Sequence, residues 1–152
     1  PLYVDSLPAE VTELLEILHR RLDQHERAAG QRLLGISNSG FPEAAQNEIA
    51  LDIYRTFARQ SGFGWAGGLA LGGGEMVKGR PLDEFPPASS VVEALDAAAE
   101  ALVAGHPVPQ EAADKMAEPL IPAWTYRAMG NMGWHYQALQ NGTWRQLRAR
   151  VW

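Results

Sequence analysis

The stretch RLLGISNSGFPEAAQNEIALDIYRTFARQSGFGWAGGLALGGG, residues 32–74, decides the fold. Arg32-Leu33-Leu34-Gly35-Ile36-Ser37 is a short, nearly continuous apolar run of the kind buried on both faces of a parallel sheet. Asn38-Ser39-Gly40-Phe41-Pro42 makes a turn, and Ala45, Ile49, Ile53 and Phe57 then recur every four residues, which predicts a helix closing near Gly62. Phe63 to Leu71 reads as a second strand leaving through Gly72-Gly73-Gly74. Two strands around one helix, each feeding a glycine-containing loop, predict an α/β fold with a parallel sheet.

Upstream, Leu7, Val11, Leu14, Leu15, Leu18 and Leu22 keep helical spacing opposite a charged face, so Ser6 to about Ala29 reads as an amphipathic helix. Ser6 suits its cap and Pro8 its first turn. Downstream, Pro81, Pro86 and Pro87 mark a loop, and Ser90 with Glu93 resembles a capping box for an alanine-rich helix reaching Ala104. Pro109 opens a short helix that Pro119 stops, and Pro122 starts a last long one reaching Gln140. We read one domain over residues 1–152, an α/β part at 1–76 followed by a loop and helical extension at 77–152.

Composition narrows the chemistry. No cysteine is present, so disulfides, thiolate metal sites and a cysteine nucleophile are excluded. A net charge of −5, with two lysines and eleven scattered arginines, argues against a nucleic-acid partner. No apolar run is long enough for stable membrane insertion and no signal segment opens the chain, so a cytoplasmic location is expected.

Ligands of an open parallel sheet bind beyond the carboxyl ends of the strands, which points at two loops. In Asn38–Glu43 small residues allow close backbone approach and the following helix offers N–H donors; an ordinary strand-to-helix turn is the alternative. Gly72-Gly73-Gly74-Glu75 lacks a following Gly-Lys-Ser/Thr, and Val77 breaks the G-x-G-x-x-G spacing, so a structural turn is the better reading. His19, His25, His106 and His135 form no metal-ligand motif, and Ser39 breaks the G-x-S-x-G pattern after Gly35. The final helix carries Trp124, Tyr126, Met129, Met132, Trp134 and Tyr136. Core packing, an oligomer interface and a lid over a ring-shaped ligand all fit it, packing best of the three.

Pro1-Leu2-Tyr3-Val4-Asp5-Ser6-Leu7-Pro8, then Gly40-Phe41-Pro42-Glu43-Ala44 with Gln46-Asn47-Glu48, then Trp65 and Gly67 to Gly74, resemble the C-terminal portion of flavodoxin-like NAD(P)H-dependent oxidoreductases, the FMN reductase family. Ile121-Pro122 to Trp134 resembles a C-terminal extension of some members. The resemblance implies a truncated flavodoxin-like sheet holding the last two strands, a fragment without the phosphate loop that is inactive alone. It implies FMN as cofactor, NAD(P)H as electron donor and a small-molecule acceptor. Pro1, Leu2, Tyr3 and Val4 would flank the isoalloxazine on one side, with Asn38, Ser39, Gly40 and Phe41 on the other; no residue need act as acid or base. The rival expectation is a non-catalytic α/β interaction module. With only two strands, the chain should expose apolar surface and associate, so a homo-oligomer is expected.

Overall fold

A computed structural model describes residues 6–25, 30–77, 79, 81–147 and 149. Two compact units divide the chain, Pro1–Leu120 and Ile121–Trp152.

The first unit is α/β. Helix α1 (Ala9–His25) precedes strand β1 (Arg32–Asn38), helix α2 (Glu48–Ser61) and strand β2 (Gly64–Leu71); α3 (Ser89–Val103) and α4 (Gln110–Met116) follow. The strands pair in parallel from Arg32↔Gly64 to Asn38↔Leu71, so both leave the sheet at one rim. Among the described residues the sheet has these two strands. Gly62 ends α2 in the left-handed conformation, φ 83°, with its N–H on the Ala58 carbonyl, which turns the chain straight into β2.

The sheet faces divide by residue size. On one face Gly35 and Gly68 leave room for α2. A Cβ at Gly35 would lie 2.9 Å from the Trp65 ring and 3.0 Å from Tyr54, and one at Gly68 3.0 Å from Leu51. Burial there raises the Tyr54 pKa above its ordinary value. On the other face Leu69 and Leu71 pack with Val91, Ala94 and Ala98 of α3 and with Met116 and Leu120, forming the main core. The small side chains of α3 bring its axis close to the leucines of β2. Lys115 of α4 donates to Glu93 of α3 at 2.8 Å, and that hydrogen bond raises the lysine pKa.

The parallel register skips Ala66, between Leu33↔Trp65 and Leu34↔Gly67. The Ala66 carbonyl accepts the Val108 N–H at 2.7 Å, docking the chain ahead of α4 beside the strand. Gly67 holds φ 148°, and a Cβ there would meet the Val108 Cβ at 2.8 Å. Gly67→Ala therefore carries both backbone strain and overpacking, and a loss of about 2 kcal/mol is expected in urea unfolding. An unchanged midpoint would show that Val108 moves away without cost.

Three expectations are corrected. Ser6 does not cap α1: it takes part in an isolated β-bridge, and the Pro8 carbonyl accepts the Val11 and Thr12 N–H groups where the helix starts. Ser90 and Glu93 form no capping box, because α3 starts one residue earlier, at Ser89, without a side-chain cap, and Glu93 is drawn to Lys115. Strand β1 is not buried on both faces, since Ile36 is 50 % exposed.

The second unit holds α5 (Ala123–Gln140) and a 3-10 turn at Trp144–Gln146. Thr143 N–H returns to the Ala138 carbonyl at 2.8 Å and the Trp144 ring approaches His135, with centroids 6.5 Å apart. The core packing expected of this helix is not found within its own unit, where Ala138 is its buried residue while Trp124 and Trp134 are each 69 % exposed. Its large apolar residues are spread around the circumference, so no single core-facing stripe exists.

Candidate functional site

The parallel pairing sets Asn38 beside Leu71, and the loops that leave them are laced together. Ser39 N–H donates to the Leu71 carbonyl at 3.0 Å, Gly74 N–H to the Ser39 carbonyl at 2.9 Å, and Gly73 N–H to the Phe41 carbonyl at 2.6 Å. Ladder bonding thus continues past the strands into the turns, and the rim is backbone held by backbone.

Asn47 closes the rim from below. It lies in the 3-10 turn Ala44–Asn47 that opens the helix, fully buried. Its Nδ2 donates to the Ala44 carbonyl at 3.1 Å, the Leu71 carbonyl at 3.1 Å and Ser39 Oγ at 3.4 Å. One amide therefore grips the first loop, the helix start and the end of β2. Its Oδ1 is buried without a hydrogen-bond partner among the described residues. Three acceptors converge on the other end of the amide, which fixes its orientation.

Glycines allow the close approach. A Cβ at Gly72 would overlap the Pro42 carbonyl oxygen and stand 2.9 Å from Ala44 N. At Gly74 a Cβ would come 2.7 Å from Asn38 Oδ1. The triple glycine is thus a packing device within the rim.

Of the candidate residues, Asn38, Ser39, Gly40 and Phe41 share this rim. Ser39 is buried, and its Oγ donates to the Phe41 carbonyl at 3.3 Å while accepting from Asn47. Its backbone N–H and carbonyl are spent on the second loop, so Ser39 is an internal tie. Asn38 and Gly40 are exposed, and Phe41 is 61 % exposed. Pro1, Leu2, Tyr3 and Val4 lie outside the described residues. The helix start is turned toward the second loop, with Ala44 buried against Gly72. No Lys or Arg occurs in residues 38–44 or 71–77, so an anion would find only backbone donors there. The clamping role of Asn47 was not read from the sequence; a buried-type position for an asparagine one helical turn behind a glycine loop is the signal that carried it.

Two further recesses lie elsewhere in the first unit. One, of about 410 Å³, runs between α1 and α2; at its end His19 Nδ1 and Ser61 Oγ share a hydrogen bond of 3.0 Å. The other, of about 360 Å³, lies over the small residues Gly67, Gly68 and Ala70, beside Arg55, whose guanidinium sits 5.9 Å from the Trp65 ring centroid. Among the described residues no three His, Asp or Glu side chains gather as a metal site, and no helix is long and apolar enough to cross a membrane. Compared with protein-family models, with curated proteins and with solved structures, the chain matches none.

Proposed function

We propose that this chain is the C-terminal part of a flavodoxin-like, FMN-dependent NAD(P)H oxidoreductase, in which the rim at Asn38–Phe41 borders the isoalloxazine. The observation that carries the reading is the laced pair of loops at the carboxyl ends of two parallel strands. That is the place where open α/β sheets take ligands, and here it is preorganised by Asn47.

The residues present suit the ring of FMN and not its phosphate. A flat, uncharged heterocycle needs a rigid backbone edge and an apolar neighbour, which Asn38, Gly40 and the exposed Phe41 offer. A phosphate needs positive charge or a cluster of free N–H donors; the rim has no Lys or Arg, and the N–H groups of Ser39, Gly73 and Gly74 are taken up between the loops. The phosphate would fall to a further segment, with Pro1, Leu2, Tyr3 and Val4 facing the ring from the other side. Bound FMN would supply the hydride chemistry between NAD(P)H and a small-molecule acceptor. The part of this chain is to hold the ring edge in place and keep it dry. The half-exposed Ile36, on the sheet face that α3 covers, supports the same reading, because a wider three-layer domain would have a further helix there.

The test is a chain extended upstream through a strand, a Gly/Ser/Thr-rich loop and a helix. It should purify yellow and oxidise NAD(P)H, and Phe41→Ala in it should loosen flavin binding by about tenfold. A folded, colourless extended protein would overturn the proposal. The exposed aromatic surface of α5 favours a second reading, an α/β interaction module, and the same colourless result would favour it.

A further inference from the structure

We propose that the outer edge of β2 takes an extended, lysine- or arginine-bearing peptide of a partner protein as a third strand. This site lies along the side of the sheet, away from the rim, and does not depend on the flavin reading.

The register fixes which main-chain groups face outward. Successive residues of a paired strand send both N–H and C=O first to one neighbour and then to the other. The Leu71 carbonyl receives the Ser39 N–H, so Leu71 faces β1. The Ala66 carbonyl receives the Val108 N–H from the opposite side. Alternation from either end therefore turns Gly68 and Ala70 away from β1. Neither makes a hydrogen bond on that side among the described residues. Two donors and two acceptors thus stand in a row over about 7 Å.

The chain itself starts this pairing and then leaves it. Val108 supplies one rung, but Pro107 and Pro109 on either side lack an N–H, and α4 begins at Gln110. Beyond that rung a recess of about 360 Å³ is lined by Gly67, Gly68 and Ala70 of the strand and by Ala113 and Ala117 of α4, small residues that leave room for a main chain. Gly68 and Ala70 keep partial exposure, whereas Leu69 between them is buried in the core. A helix cannot satisfy this edge, because its N–H and C=O groups are spent within itself; an extended chain can.

Charge narrows the occupant. Arg55, in the recess, is engaged by Asp52 at 3.4 Å and stands over the Trp65 ring. The Asp114 carboxylate receives the Gln110 amide at 2.9 Å and pairs with no cation among the described residues, while Lys115 beside it is drawn to Glu93. Residues 1–120 hold all 18 acids and nine of the 13 Lys and Arg, a net −9. A basic side chain on the added strand meets Asp114 and a field of favourable sign.

Fluorescence anisotropy of the 152-residue chain with a labelled synthetic peptide of about seven residues, alternating lysine with valine, tests this. N-methylation deletes the donors along one edge of such a peptide at a time. Methylation of one alternate set should weaken binding by about tenfold or more, and methylation of the complementary set should leave it unchanged. Asp114→Asn should weaken the unmethylated peptide by about threefold and flatten its salt dependence. Ala70→Pro, which removes one outward N–H and no bond to β1, should weaken it by about tenfold while keeping the parent's circular dichroism. Absence of binding, equal losses from the two methylated sets, or an unaltered affinity for Asp114→Asn would overturn the proposal. So would a parent chain that Ala70→Pro converts from dimer to monomer in sedimentation equilibrium, which would assign the edge to a second copy.

Discussion

Asn47→Asp should destabilise the first unit by about 3 kcal/mol or more at neutral pH, the largest loss expected from an isosteric change in this chain. The side chain is fully buried, and its Nδ2 serves the Ala44 carbonyl, the Leu71 carbonyl and Ser39 Oγ. Aspartate replaces that donor with an oxygen that faces the same acceptors. Charged, it is a buried anion among carbonyl dipoles; protonated, it regains one donor. Burial and these dipoles therefore raise the folded-state pKa of the new carboxyl above the ordinary value near 4. The sign follows from proton binding. Above about pH 4 the folded variant holds a proton that the unfolded chain has released, so stability falls as pH rises until the folded pKa is passed. Urea midpoints of variant and parent should lie closest at low pH and diverge toward neutrality. Asn47→Ala should cost less, about 1–3 kcal/mol and without that pH dependence, since truncation also removes the unpaired Oδ1. A constant gap for Asn47→Asp across pH would show that water reaches the site and that the clamp is weaker than its geometry implies.

The clamp also marks the boundary of what the sequence makes legible. Strands β1 and β2 were readable because Leu33 to Ser37 and Trp65 to Leu71 are apolar runs too short for helices and bounded by turn residues. The proline-marked starts of α4 and α5 were readable because proline fixes its own φ and lacks an N–H, which constrains the first turn locally. Caps were not. Ser6 and Ser90 have the right chemistry for a cap, but bridging at Ser6 and the pull of Lys115 on Glu93 are tertiary effects invisible to local pattern. The aromatic helix misled for a related reason. Large apolar side chains signal burial, yet only their distribution around the axis says whether a single chain can provide it. The parallel pairing of the two strands was anticipated, and from it the shared rim; that Asn38 extends the first strand to pair with Leu71, that Ser39 turns inward and that Asn47 ties the loops depended on distances no spacing rule contains.

Gly72→Ala should be the other severe change, costing about 3 kcal/mol or more and loosening the rim itself. Backbone strain is not the cause, because Gly72 is absent from the positive-φ glycines. The obstacle is space. The added methyl would overlap the Pro42 carbonyl oxygen, 2.6 Å from its carbon and 2.9 Å from Ala44 N, and all three are main-chain atoms held in the loop ahead of α2. Relief requires the loops to separate, which would strain the Gly73–Phe41 and Gly74–Ser39 hydrogen bonds and draw Leu71 away from Asn47. Neighbouring glycines supply the controls. Gly74→Ala meets the Asn38 side chain, Cβ at 3.0 Å included, rather than main-chain atoms, so a smaller loss is expected. Gly40→Ala meets nothing within 4 Å and needs no positive φ, so it should be neutral in urea unfolding. The ranking Gly72, then Gly74, then Gly40 separates steric closure of the rim from the general loss of glycine in a loop. Equal effects at all three positions would mean that the loops are held apart in solution and that no preformed edge awaits a ligand.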